Sequence, residues 1–134
     1  WRWALELLAG CRARQLEPDA LLAGTALGAC ARAGPWERAV GLLAWMRLEG
    51  LEVGLVACGA AISACEGAHR WEEALALLRD MQECSVPPDV SAYGAAISAC
   101  EKGAVWRPGL LLLRAMDRDL LAVDAVSCSA AISA

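Results

Sequence analysis

The sequence has no phenylalanine, a single tyrosine and a single histidine, and each scarcity narrows what the chain can be. With so few large aromatic rings in a composition that is 58% hydrophobic and rich in alanine, a core has to come from close approach of backbones. Long apolar runs are missing too. The longest uncharged stretch, Val53 to Cys65, covers 13 residues, whereas a membrane-spanning helix needs about 20. Basic charge is in deficit, with 12 Lys and Arg against 16 Asp and Glu for a net charge of -4, which argues against a strong polyanion binder. Cysteine is not scarce, but the seven thiols lack any C-x2-C pair of the kind a zinc site uses. They read as small buried thiols in a reducing compartment. His69 falls in a turn with no obvious partner in the sequence. No nucleophile with a base near it, phosphate-cradling glycine loop or facing pair of carboxylates is found, so no enzyme is expected within these residues. No metal, cofactor or small-molecule substrate is expected either.

What is present is a period. Trp1, Trp36, Trp71 and Trp106 recur every 35 residues, and in the same register run Leu7, Leu42, Leu77 and Leu112, then Leu16, Leu51, Val86 and Leu121. Cys30, Cys65 and Cys100 form one column of the repeat, and Cys58 and Cys128 belong to another. A fixed period of this length marks a stacked array in which each unit buries its apolar face against its neighbours. The expected units are 20–54, 55–89 and 90–124, with a partial unit (second helix) over 1–19 and another (first helix) over 125–134. The expectation is therefore a stretch of a longer array, with any targeting segment lying upstream.

Each unit reads as two helices. Trp71, Ala74, Leu75, Leu78 and Met81 follow the i, i+3, i+4, i+7 spacing of an amphipathic helix, with Glu72, Glu73, Asp80 and Glu83 outside the stripe. Cys58, Ala61, Ile62 and Cys65 form the stripe of the preceding helix, repeated as Ala23, Ala26, Leu27, Cys30 and as Tyr93, Ala96, Ile97, Cys100. Gly34, Gly67 and Gly103 fall between the two helices, where a helix C-terminus accepts positive φ. The second helix leads to Glu17-Pro18-Asp19, Pro87-Pro88-Asp89 or Val123-Asp124, where Pro halts one helix and Asp caps the next. Pro108 lies in a first turn, where its missing N–H costs little, while Gly109 stands where other units have Ala and weakens its helix by about 1 kcal/mol.

One face of each first helix is left over from this packing: Leu21, Gly24, Gly28, Arg32; Val56, Gly59, Ser63, Glu66; Ser91, Gly94, Ser98, Lys102. Side by side these helices line one continuous surface, of the kind repeat arrays use for binding. For Gly24, Gly59 and Gly94 the alternative is that small residues only let neighbouring helices approach.

On the blocks Ala57 to Cys65 (ACGAAISAC) and Trp71 to Met81 (WEEALALLRDM), the Pro88-Asp89 junction and the spacing of 35, the whole chain resembles the pentatricopeptide repeat (PPR) family. The resemblance implies an all-α, right-handed solenoid of antiparallel helical hairpins that binds single-stranded RNA, one base per repeat, in organellar RNA processing, stability or editing. By family habit it implies a mitochondrion or plastid. The base-reading columns it implies are Gly24, Gly59, Gly94 and Ser129, one turn into the first helix, and Asp19, Gly54, Asp89 and Asp124, the last residue of each unit. Leu21, Val56, Ser91 and Val126 correspond to positions that sandwich a base. Arg32 and Lys102 correspond to phosphate contacts. Glycine has no side chain with which to bond a base edge, so the first reading column is nearly blank. For Asp19, Asp89 and Asp124 helix N-capping, worth about 1 kcal/mol each without any RNA, is the better reading, and it can coexist with base reading. The acidic composition keeps a second function open, a helical scaffold whose groove binds a protein or peptide. A membrane partner is not expected.

Overall fold

The computed structural model describes residues 2, 6, 10, 20–33, 35–119 and 125–133. Over them run seven helices and no strand: α1 (Ala20–Ala33), α2 (Trp36–Leu48), α3 (Leu55–Gly67), α4 (Trp71–Glu83), α5 (Val90–Lys102), α6 (Trp106–Arg118) and α7 (Ala125–Ser133). The partial unit over 1–19, apart from residues 2, 6 and 10, lies outside the described residues.

The amino acids explain the layers. α3 buries Ala57, Cys58, Ala61, Ile62, Ala64 and Cys65, and α5 buries Ala92, Tyr93, Ala96, Ile97, Ala99 and Cys100. Small residues on two sides of one helix let it be approached on two sides. α1, α3, α5 and α7 accordingly pack on one another in sequence, and each of α2, α4 and α6 sits against its own first helix and the next one. Among the described residues no second helix packs backbone to backbone on another. A side-chain pair, Arg47 Nη1 to Asp80 Oδ2 at 3.0 Å, links α2 with α4. The close layer of first helices thus lies on the inside of the array's curvature. Full burial of Leu27, Ile62 and Ile97 in that layer stabilises it by about 1.5–3 kcal/mol each. Every buried side-chain nitrogen and oxygen among the described residues has a hydrogen-bond partner.

The second helices bury Ala39, Leu42, Leu43 and Met46 in α2 and Ala74, Leu77, Leu78 and Met81 in α4. Leu75 of the expected stripe is only half-buried, and Leu77 takes its place. The reason is tertiary: α4 is sandwiched between α3 and α5, so its buried arc is wider than a single-sided stripe and turned towards position 77.

The turns correct one expectation. Gly67 closes α3 and Gly103 follows α5 with φ -85, so neither supplies positive φ; Gly34 lies outside the described residues. The left-handed residues are Gly50, His69, Ser85 and Ala104, with φ of 70, 60, 59 and 54. Each closes the same double bond pattern. After α3, Arg70 N donates to Cys65 O at 2.9 Å and His69 N to Glu66 O at 3.1 Å. Gly103 answers a different need: an added Cβ would lie 2.4 Å from Trp71 Cδ1, so the indole of the preceding repeat occupies the space.

Gly109 is buried in α6, and a Cβ there would meet Ala131 and Cys100 at 3.8 Å, ordinary van der Waals contact. Gly109→Ala should therefore raise the unfolding free energy by about 1 kcal/mol, read as a higher midpoint in urea at unchanged slope. An unchanged or lower midpoint would contradict it.

Candidate nucleic-acid interface

Burial leaves one stripe open on every first helix. On α3 it is Val56, Gly59, Ala60 and Ser63, at i, i+3, i+4, i+7, with Val56 83% exposed. On α5 the stripe is Ser91, Gly94, Ala95 and Ser98, and on α7 it includes the exposed Ser129. Because the first helices stack directly, these stripes run side by side along one surface.

Glycine on this face is not explained by packing. A Cβ built on Gly24 or Gly59 meets nothing within 4 Å, so neither residue is small in order to admit a neighbouring helix. Alanine would be accommodated at both, and favoured by helix propensity. In the column of last residues, Gly54 is the N-cap of α3 and offers no side chain, whereas Asp89 caps α5 by accepting from Ala92 N at 2.8 Å through Oδ1. The capping role expected of Asp89 is thus present. Asp19 and Asp124 lie outside the described residues, as do the side chains of Leu21 and Val126.

Charge on the face is largely cancelled. Arg32 is exposed in the last turn of α1. Lys102, one period further than Gly67 in the same column, donates to Glu66 Oε1 at 3.0 Å, and Ser98 Oγ donates to the same oxygen at 2.8 Å. Glu66 therefore ties α3 to α5 and occupies the lysine for which a phosphate contact is expected. Glu66 and Lys102 stand out separately in the sequence, but their pairing needs neighbouring first helices in register. Glu72, Glu73, Asp80 and Glu83 all sit on α4, in the second-helix layer. Arg70, at the α3–α4 turn, stacks over the Trp36 ring with its guanidinium carbon 4.9 Å from the ring centroid and forks onto Glu73. The Arg70 hydrogen bonds hold the Glu73 carboxyl below its usual range.

The thiols of the core are inert. Burial pushes Cys65 and Cys100 up to about 11, and Cys30 and Cys58 in the same direction, so the reactive thiolate is disfavoured. No group of three or more metal-ligating side chains occurs among the described residues. No helix of the described residues is long and apolar enough to cross a membrane.

This geometry has solved counterparts. PPR10 in complex with an 18-nt psaJ RNA element is 27% identical over 96% of the chain with a TM-score of 0.78. The chain has the fold of a pentatricopeptide repeat array. PPR10 from maize, at 21% identity, matches over 91% of the chain with a TM-score of 0.80. The PPR domain of Arabidopsis thaliana protein-only RNase P 1, solved with tRNA, shares the fold with a TM-score of 0.85 at 14% identity, over 96% of this chain and 68% of that one. The pentatricopeptide chain described here spans 19% of the length of the RNA-bound PPR10 chain. No family model matches its sequence, and no curated protein matches it.

Proposed function

We propose that this pentatricopeptide array is a non-catalytic module that binds single-stranded RNA along the open stripes of its first helices. One base lies against each repeat, and discrimination between bases is weak. The observation that carries the reading is the open space in front of Gly24 and Gly59, on a face that repeats in register and that packing leaves unexplained. Val56 is 83% exposed there, a flat apolar contact suited to the face of a base. The pentatricopeptide relatives solved with RNA support the same occupant. By family resemblance the parent protein acts in RNA processing, stability or editing in a mitochondrion or plastid.

Affinity rests on few cations. Among the described residues only Arg32 and Lys102 stand at phosphate-contact positions, so log affinity should fall with log salt at a slope no steeper than about -1.5. Filter binding of a randomised short RNA pool to the chain, titrated from low salt upward, measures this. No retention at low salt would overturn the reading, and a saturable protein partner that RNA fails to displace would replace it with the scaffold function. Glu66→Gln should raise RNA affinity about threefold and steepen the salt slope by about 0.7, because Lys102 is released; Lys102→Gln should show neither gain.

A further inference from the structure

In a chain of net charge -4, α6 carries Arg107, Arg114 and Arg118 against a single acid, Asp117. Gly109 and Met116 mark the buried side of this helix. At 3.6 residues per turn the three arginines, at i, i+7 and i+11, fall on one stripe directly opposite that side, and all three are exposed. The stripe is about 16 Å long at 1.5 Å of rise per residue. Leu110 and Leu111 flank it, one on each side, and are 41% and 64% exposed.

The fold does not require these residues, because the earlier second helices build the same outer surface from others. One period back the stripe reads Glu72, Arg79, Glu83, and two periods back Glu37, Ala44, Leu48. Gly41 and Ala76 stand where α6 has Leu111. Nor do contacts within the chain occupy the arginines. Arg114 has no hydrogen bond or ion pair among the described residues. Arg107 lies over the Trp106 ring of its own helix, with its guanidinium carbon 5.3 Å from the centroid. Arg118 Nε is 3.6 Å from Asp119 Oδ1, an exposed pair at a distance where little is gained, and the other oxygen of that carboxylate accepts from the Tyr93 hydroxyl.

We propose that this ridge docks an acidic amphipathic helix of a partner protein, its carboxylates meeting Arg107, Arg114 and Arg118 and its apolar residues covering Leu110 and Leu111. The guanidinium fork matches a carboxylate with two parallel hydrogen bonds. A helix shows its side chains at i, i+4, i+7 and i+11 on one face, so glutamates at those spacings run along the arginine stripe. Single-stranded nucleic acid would add base stacking on aromatic rings, and this face offers leucines in their place. A lipid surface calls for the reverse order, with apolar residues along the middle of the face and cations at its edges. One helix laid on another buries a small area, so the contact is a transient one. The ridge lies in the second-helix layer, away from the open stripes of the first helices, and the proposal does not rest on the RNA reading.

The experiment is fluorescence anisotropy of a labelled synthetic helical peptide, with a glutamate stripe at i, i+4, i+7 and i+11 flanked by leucines, titrated with the chain. Saturable binding is expected, and a peptide with Gln in place of Glu should lose it. Arg114→Gln should weaken binding about threefold, and the joint Arg107→Gln, Arg114→Gln and Arg118→Gln variant tenfold or more. Leu111→Ala, which installs the residue of the preceding repeat, should weaken it several-fold at unchanged salt dependence. All four positions are exposed, so the urea midpoints should stay in place. Equal binding of the Glu and Gln peptides, or full binding by the triple variant, would overturn the proposal. Displacement of the peptide by the randomised RNA pool or by phosphatidylglycerol vesicles would assign the ridge to phosphate and overturn it as well.

Discussion

Tyr93→Ala should lower the unfolding free energy by about 3–5 kcal/mol, a large fraction of what a chain of this size has to lose. Tyr93 is the only tyrosine of the chain and the largest fully buried side chain among the described residues. It sits on α5, and its hydroxyl joins the ends of α4 and α6 through Gln82 and Asp119. Removing the ring opens a cavity where three helices meet, and the ladder of first helices cannot collapse into it without losing register. Tyr93→Phe keeps the ring and should cost only about 1 kcal/mol. Urea unfolding of the two variants separates ring from hydroxyl, and a loss under 1 kcal/mol for the alanine variant would contradict the assignment.

The phenol also sets a pH dependence. Burial, reinforced by the hydrogen bond to Asp119, raises Tyr93 from 10.0 to about 12 in the folded chain. The folded state therefore holds its proton more tightly than the unfolded state, so this contribution is complete below pH 10 and is lost as pH rises from 10 to 12. Cys65 and Cys100, raised from 9.0 to about 11, add losses of the same sign from pH 9 upward. Stability should fall steadily above pH 9, and Tyr93→Phe should flatten the part between 10 and 12.

Gly103→Ala should destabilise the array by about 1–3 kcal/mol although alanine is the better helix former. The new Cβ would stand 2.4 Å from Trp71 Cδ1, 3.1 Å from Cγ and 3.2 Å from Nε1. These atoms belong to the root and near edge of a rigid indole, so it cannot swing clear as a flexible chain end would. Backbone strain plays no part, since φ at Gly103 is -85. Gly59→Ala, with nothing within 4 Å of its Cβ, should raise the unfolding free energy by up to about 1 kcal/mol and move the urea midpoint upward. Equal effects from the two substitutions would show that the Trp71 contact does not limit the site.

Much of this was legible in advance. The column Ala23, Cys58 and Tyr93, the partners Leu27, Ile62 and Ile97, and the Trp residues that open α2, α4 and α6 all follow from a period of 35 laid over a helical spacing. The open stripe through Gly24, Gly59 and Gly94 was legible too, because it is what remains after the apolar positions are assigned. The reason for its glycines was not, since space in front of a Cβ depends on where the neighbouring helix lies. The positions of positive φ were misplaced by one or two residues, because the closing bonds after α3 and α5 choose His69 and Ala104 whatever their propensity.

By itself the sequence determined the repeat, the two helices in each unit, the buried columns and the scarcity of base-reading side chains. These are local or periodic properties, and a chain of identical hairpins leaves one stacking solution. Tertiary structure alone decided how neighbouring repeats answer one another: Glu66 holding Lys102, Trp71 filling the space beside Gly103, and Arg47 bridging to Asp80. Those relations join residues about one period apart, and they exist only when the first helices are packed in register.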